Sequence, residues 1–585
     1  MTFPRWSPVA PDHLVWVADD SGTSQAWFGD ARTREQRRLT DEPLGVTRAL
    51  PSGDGDAAIW WRDPIGDERG RWMVTPFDGS DPRPLFPDLP DAWAEGIGVA
   101  LGAAAAAFSD TEAYRVFFSR DGEPLHLLAE AAYPLGIGRE WENEWNGLSS
   151  DAGLLCIRTA EYGDITRSAL RVLETRSGDP AGEQHDEGLH LRLCSWSPVP
   201  GDPRVAFIHE LEGIERPGIW DLSTGERTDI VLDLPGAVDV AGWWPDGSAL
   251  LVVHASEGRG QLYRIDAATG EPELLHDPSG WISGAGVRPD DEVWLRSEDG
   301  ATPPTIRSIE GREVLPAGGD SPPPGRPFRS FWFPNPHGQR IHAFVATPEG
   351  AAPFPTIVMV HGGPEWAYPD AFDPWVQACV DHGYAVAMVN YRGSTGYGVS
   401  FREALRGNVG FPESEDVVAC LDAVIEEGLA DPARAVVEGW SWGGYIALLV
   451  AGLYPDRFAA AIGGIPTADY VACHEDANPA QQDWDVAMIG GHPDEFPEFY
   501  AERSPITYVD RIRAPILIIA GENDSACPIR QVHNFVAAVE ADGGMIDTSI
   551  YPAGHAANTA EDRMRFAELE LAFLHRHLPG VPPPA

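Results

Sequence analysis

The 585-residue chain is too long for one hydrophobic core, and 43% apolar with 23% charged residues is the balance of a globular protein, so at least two domains are expected. All 42 basic residues are arginine, and against 90 acidic residues they leave a formal charge of −48. That sign repels nucleic acid and anionic membrane, and the lack of lysine excludes lysine Schiff-base chemistry.

The N-terminal "MTFPRWSPVA" has no basic region followed by an apolar run, so no signal peptide is expected. The longest apolar run, Gly96 to Phe108, is too short and too rich in Ala and Gly to span a bilayer. The first half then repeats itself. "WSPVAPDHLVWVA" begins at Trp6, "WSPVPGDPRVAFIH" at Trp196, "WPDGSALLVVH" at Trp244 and "VRPDDEVWLR" at Val287. Looser copies begin at Leu50 and Leu148. Each reads as a strand end, a Pro/Asp/Gly turn and an alternating apolar strand, with later turns such as "DLSTGE" at Asp221 and "DAATGE" at Asp266. A recurrence of about 40–50 residues suits four-stranded propeller blades. Seven such units predict an all-β, seven-bladed β-propeller over residues 1–318; a pair of β-sandwiches is the alternative. Within it, "REWENEWNG" sets Glu140, Glu142 and Glu144 at alternate positions, on one face if the segment is a strand. They read either as a solvated acidic face or as a docking point for a positive group.

Near Ala317 the texture changes to the Pro/Gly-rich "AGGDSPPPGRPF", a plausible linker. Beyond it, over residues 319–585, strands such as "PTIVMVHGG", "YAVAMVNYRG" and "APILIIAGEND" alternate with helical patterns such as "SEDVVACLDAVIEEG" and "YIALLVAGLYP". That alternation predicts a doubly wound, mostly parallel sheet. Six scattered cysteines, Cys156, Cys194, Cys379, Cys420, Cys473 and Cys527, form no CxxC pair, so reduced thiols in a cytoplasm are expected rather than a zinc ribbon or a disulfide scaffold.

The chemistry concentrates in the second half, because in such a sheet reactive groups sit beyond the carboxyl ends of the strands. Gly439-Trp440-Ser441-Trp442-Gly443 has the G-x-S-x-G form of a sharp strand-to-helix turn, in which bulk at Gly439 or Gly443 would collide with neighbouring elements. Gly444 lets the helix lie closer still. A nucleophilic serine needs a base, and the base an orienting carboxylate. Asp524 ends the strand in "LIIAGENDSACP", and His555 lies in the loop "IYPAGHAAN". The order Ser441, Asp524, His555 is the one this topology imposes. Glu522 and Asp542 are competing carboxylates, and His533, His575 and His577 competing histidines in helix-like segments. For the oxyanion hole, Trp442 after the serine offers one backbone N–H, and Gly363 of "VHGGP" the other. A metal site from His361 and His382 has no partner at ligand spacing.

"VHGGP", "NYRGSTGYG", "GWSWGGY", "SPITYVDRIRAPILIIAGENDSACPIRQ" and "PAGH" together resemble the prolyl oligopeptidase family of serine peptidases, nearest its acylaminoacyl-peptidase and dipeptidyl-peptidase-like branch. The resemblance implies an α/β-hydrolase catalytic domain gated by a propeller, with a site reached only by short peptides or small amides. It implies the triad Ser441, Asp524 and His555, the oxyanion donors Gly363 and Trp442, and a first side-chain pocket lined by Trp366, Tyr445, Val471, Trp484 and Cys527. Core packing is the alternative for those five. Dipeptidyl peptidases hold the substrate amino terminus with propeller glutamates, a role open to Glu140, Glu142 and Glu144. Ala526 departs from the family, where Arg or Asn two residues after the catalytic Asp binds a substrate carbonyl. The expected activity is amide hydrolysis through an acyl-enzyme without metal or organic cofactor, of aminopeptidase or acylaminoacyl-peptidase type. An esterase, an acyl transferase or cyclase acting on an amide-bearing natural product, and a non-catalytic propeller docking module are the rivals. Self-association is left open.

Overall fold

The computed structural model describes residues 1–121, 123–138, 147–315 and 323–578. The chain divides into two compact units: Met1–Ser297 with Thr305–Ser321 and Asn558–Ala560, and Glu298–Pro304 with Pro322–Ala557 and Glu561–Ala585. Glu140, Glu142 and Glu144 lie outside the described residues, as does residues 316–322 of the linker region.

The first unit is built from antiparallel meanders in which each strand pairs with the next in sequence, five of them four-stranded among the described residues. The repeated turns explain the repeated sheets. In "DLSTGE" the Asp221 carboxylate accepts from the backbone N–H of Ser223, and Gly225 takes φ +75° while its N–H closes onto the Asp221 carbonyl. "DAATGE" repeats the device: Asp266 accepts from Ala268 and Thr269, and Gly270 takes φ +74°. A side-chain acceptor at the first position and a glycine in the left-handed region are what such hairpins require. The repeat also has a tertiary signature. Trp196 donates its indole N–H to the Gly147 carbonyl, 49 residues earlier, and Trp243 to the Ser195 carbonyl, 48 residues earlier. One arrangement departs from separate units. Strand Arg69–Pro76 overruns its partner Ala57–Arg62 by two residues, and Arg69 and Gly70 pair instead with Trp93 and Ala92, fusing two meanders into one eight-stranded sheet.

The second unit carries an eight-stranded sheet of β1 (Arg329–Pro334), β2 (Arg340–Ala346), β3 (Phe354–Val360), β4 (Ala385–Asn390), β5 (Ala430–Trp440), β6 (Ala460–Gly464), β7 (Ile516–Gly521) and β8 (Ile546–Tyr551), in the order β1-β2-β4-β3-β5-β6-β7-β8. β1 and β2 are antiparallel to each other, and β2 to β4; every pairing from β4 through β8 is parallel. β3, β4 and β7 are almost wholly buried, as continuous apolar runs in parallel sheets are. Alternate residues face opposite layers. Val358, Val360, Val389 and Val437 pack against helices Phe411–Glu426 and Trp442–Leu453, whereas Ile357, Met359, Met388 and Val436 pack against helices Pro374–Asp381 and Ala560–His577. No described helix is long and apolar enough to cross a membrane.

Candidate active site

Register brings the candidate residues to one edge of the sheet. Val360 at the end of β3 is opposite Gly439 in β5, Trp440 is opposite Gly464 of β6, and Gly521 of β7 is opposite Tyr551 of β8. The loops carrying His361–Pro364, Ser441, Asp524 and His555 therefore all leave the sheet at its carboxyl end.

Ser441 sits between β5 and helix Trp442–Leu453 with φ +56° and ψ −121°, a combination that costs a residue bearing a Cβ about 1–3 kcal/mol. The surrounding glycines pay for the bend with their missing side chains. A Cβ on Gly443 would lie 2.0 Å from the Val360 carbonyl oxygen, one on Gly439 2.4 Å from the Gly443 backbone, and one on Gly444 2.5 Å from the Gly464 oxygen. The Ser441 N–H is tied to that same Gly464 carbonyl at 2.8 Å.

The Ser441 hydroxyl lies 2.9 Å from His555 Nε2, and His555 Nδ1 lies 2.7 Å from Asp524 Oδ2. The other oxygen of Asp524 accepts from the backbone N–H groups of Ala526 at 2.9 Å and Cys527 at 2.7 Å, which leaves Oδ2 aimed at the imidazole. The β7 and β8 loops are knitted together by Glu522 N–H to the Tyr551 carbonyl and Asn523 N–H to the Ala553 carbonyl. Burial opposes a charge on His555, but the neighbouring Asp524 carboxylate more than offsets it and raises the imidazole pKa well above its ordinary value. The chemistry this allows is proton abstraction from Ser441 by neutral His555, with Asp524 stabilising the imidazolium. The competitors stand elsewhere: Glu522, Asp542 and His533 are exposed, and His575 bonds the Leu571 carbonyl within its own helix.

Trp442 is the first residue of its helix, where a backbone N–H has no intrahelical acceptor. Gly363 has φ +118° and is exposed, and a Cβ on its neighbour Gly362 would lie 3.9 Å from Ser441 Oγ. His361 is buried, and burial drives its pKa down to about 3. The neutral ring bonds the Gly362 carbonyl through Nδ1 at 2.7 Å, so Nδ1 carries the proton and Nε2 faces the Ser394 hydroxyl at 2.7 Å. Pinning that carbonyl fixes the plane of the Gly362–Gly363 peptide, and with it the direction of the Gly363 N–H. His382 bonds the Ala378 carbonyl, so the two histidines serve separate local structures.

"NYRGSTGYG" holds this loop in place. Asn390 bonds the N–H and carbonyl of Tyr368, the Tyr391 hydroxyl donates to the His361 carbonyl, and Thr395 N–H donates to the Trp366 carbonyl. Arg392 is clamped on Asp416 and Glu415. The sequence alone assigns these residues no separate role; a run of polar residues able to pack next to "HGGP" is the signal that could have found them. Glu413, which accepts from the Trp442 indole at 3.2 Å with its pKa pushed up to about 8 by burial, was missed altogether, since nothing local marks it.

The candidate pocket residues divide. Trp442 packs edge-on against Trp484, with centroids 5.1 Å apart, and against Tyr445 at 4.8 Å. Tyr445 is fully buried and belongs to the core beneath the site, whereas Val471 and Trp484 are half-buried on helices Tyr470–Asp476 and Pro479–Ile489. Trp366 is exposed and belongs to a different cluster with His361 and Tyr368. Cys527 is buried, its thiol close to His555 and Asp524 rather than on an open wall.

Residues 370–580 match the family model described as the prolyl oligopeptidase family. Over this stretch the chain is similar to the prolyl oligopeptidase family. The peptidase is a serine hydrolase. It is 24% identical over 625 aligned residues to dipeptidyl aminopeptidase BIII of Pseudoxanthomonas mexicana, covering 98% of this chain and 86% of that one. It is 28% identical over 246 residues to the acylamino-acid-releasing enzyme of Rattus norvegicus, covering 40% of this chain and 33% of that protein. Among solved structures, that of puromycin hydrolase superposes with a TM-score of 0.81 at 23% identity, covering 100% of this chain and 96% of that one. At that identity the likeness speaks for a shared fold, a propeller-type unit joined to a hydrolase unit.

Proposed function

We propose that the peptidase hydrolyses short peptides or small amides through an acyl-enzyme on Ser441, as an aminopeptidase or acylaminoacyl-peptidase. His555 takes the Ser441 proton as the oxygen attacks the carbonyl, and returns it to the leaving amine; water then releases the acyl group by the same route. Asp524 holds the imidazole in the Nδ1–H tautomer. The Gly363 and Trp442 N–H groups receive the oxyanion, each donor contributing about 3 kcal/mol at the transition state. Trp484 and Val471 line the first side-chain pocket with Trp366 at its rim, which suits apolar or aromatic residues on the acyl side. The repeats of residues 1–318 form a seven-bladed propeller, residues 319–585 form the α/β-hydrolase domain with its doubly wound sheet, and the six buried, free cysteines suit a reducing, cytoplasmic setting.

The observation that carries this reading is His555 bonded on one side to Ser441 at 2.9 Å and on the other to Asp524 at 2.7 Å. Relatives named for releasing dipeptides and acylated amino acids, and a structural neighbour named for hydrolysing puromycin, support amides as the substrate class. The test is a panel of aminoacyl, dipeptidyl and acyl-aminoacyl anilides, alongside fluorophosphonate labelling. Turnover of at least one anilide, with label on Ser441 and none on Ser441→Ala, is expected. Failure of Ser441 to label, or an unchanged rate in Ser441→Ala, would overturn the assignment.

A further inference from the structure

We propose that Asp524, Cys527 and His555 form a binding site for a thiophilic divalent cation, Zn²⁺ foremost, whose occupation switches the triad off. The inhibitory part rests on the reading of His555 as the base; the binding part does not. One ligand atom from each residue, a carboxylate oxygen, a thiol sulfur and an imidazole nitrogen, lies within 4.8 Å of the others, and among the described residues this is the one group of three potential ligands so close. Around tetrahedral zinc, with bonds of about 2.0–2.3 Å, such donors sit roughly 3.3–3.7 Å apart, so closure by about 1 Å supplies three of the four ligands, with water as the fourth.

Two of the three donors are held by one turn. The N–H of Cys527 itself donates to Asp524 Oδ1 at 2.7 Å, so the turn that aims the carboxylate also fixes where the sulfur sits. Thr467 supplies an outer contact, its hydroxyl 3.7 Å from Cys527 Sγ and 3.6 Å from Cys473 Sγ. A sulfur–nitrogen–oxygen set selects a borderline-soft cation; Mg²⁺ and Ca²⁺ require oxygen throughout. A formal charge of −48 raises the concentration of any divalent cation near the surface.

Entry of the cation expels one proton, from the Cys527 thiol; the neutral imidazole of His555 keeps its proton but moves it from Nδ1 to Nε2, and no electron moves. Nδ1 then faces a cation instead of the Asp524 carboxylate. Nε2, now carrying the ring proton, can no longer accept the proton of Ser441. Removal of the metal by a chelator restores the Nδ1–H hydrogen bond.

The experiment uses the full chain. Anilide hydrolysis is measured against free Zn²⁺ and Mg²⁺ for wild type and Cys527→Ser, each scaled to its own metal-free rate, and Co²⁺ is titrated spectroscopically into wild type, Cys473→Ser, Cys527→Ser and Ser441→Ala. Expected are inhibition by Zn²⁺ but not Mg²⁺, reversal by EDTA, and a half-inhibiting concentration at least about tenfold higher in Cys527→Ser. A cysteine-to-cobalt charge-transfer band should appear in wild type, Cys473→Ser and Ser441→Ala and vanish in Cys527→Ser. Because Ser441→Ala reports binding without turnover, the band tests the site even if every anilide proves inert. Equal inhibition of wild type and Cys527→Ser, or no such band in Cys473→Ser, overturns the proposal. If Cys527→Ser does not fold, the band in Cys473→Ser decides alone.

Discussion

Asp524→Asn is the sharpest single perturbation of this site, because the structure dictates which way the new amide must lie. Oδ1 of Asp524 already accepts two backbone N–H groups, from Ala526 and Cys527. An asparagine that keeps both bonds must place its carbonyl oxygen there. Its NH₂ then occupies the Oδ2 position, 2.7 Å from His555 Nδ1. A donor facing Nδ1 forces that nitrogen to be the acceptor, which moves the proton to Nε2, the atom that should take the proton of Ser441. The flipped amide would instead set its donors against two N–H groups and lose both bonds. The wrong tautomer costs about 10⁴ in kcat, equivalent to about 5.5 kcal/mol. Stability should fall by no more than about 1–3 kcal/mol, since two of the three hydrogen bonds survive. Steady-state kinetics on the best anilide, with denaturant unfolding of the same preparation, separates the two effects. A folded Asp524→Asn that keeps more than a tenth of wild-type kcat would refute the tautomer argument and Asp524 as the orienting group.

Ser441→Gly should lose about 10⁶ in kcat, yet gain about 1–3 kcal/mol in chemical denaturation because glycine accepts φ +56° without strain; an unchanged midpoint would remove the strain argument. Gly443→Ala should cost at least about 3 kcal/mol in the same assay, its Cβ lying 2.0 Å from the Val360 oxygen. The acidic limb of the kcat/KM profile should lie above pH 6.5, because neutral His555 is the active form and its pKa is raised; a limb below that value would show that Asp524 does not dominate the imidazole. By linkage the same shift stabilises the fold fully below pH 6.5, and that contribution is lost as pH rises through the raised value. His361→Ala should lower kcat by about 10–100-fold with little change in KM, since freeing the Gly362 carbonyl misaims one oxyanion donor.

The hydrogen-bonded cluster of Ser441, His555 and Asp524 was legible because its signals are local. A serine fenced by glycines, an acid just past an apolar strand and a histidine after the next one each announce a loop at the end of a strand, and the chain order leaves little choice among them. The glycines were legible for a steric reason that the contacts at Gly439, Gly443 and Gly444 now quantify. What sequence could not supply was depth. Tyr445 and Trp484 look alike as aromatic residues near the elbow, but helical phase turns Tyr445 wholly into the core and leaves Trp484 half-buried. The fused meanders were also hidden, because the overrun of Arg69–Pro76 past Ala57–Arg62 is a matter of strand length, which alternation does not measure.

Cys527 shows how a residue can change its meaning between the two levels. Along the chain it is three positions past Asp524 and reads as part of a pocket wall. In space the Asp524 turn curls back on itself, because the carboxylate collects the N–H groups of residues 526 and 527, and this carries the thiol to the imidazole. The bond that aims the acid at His555 therefore also brings a sulfur, a nitrogen and an oxygen within 4.8 Å of one another. Any substitution that loosens the turn should weaken base orientation and cation capture together, whereas Cys527→Ser should separate them, since its backbone N–H still serves Asp524 while its side chain no longer offers a soft ligand.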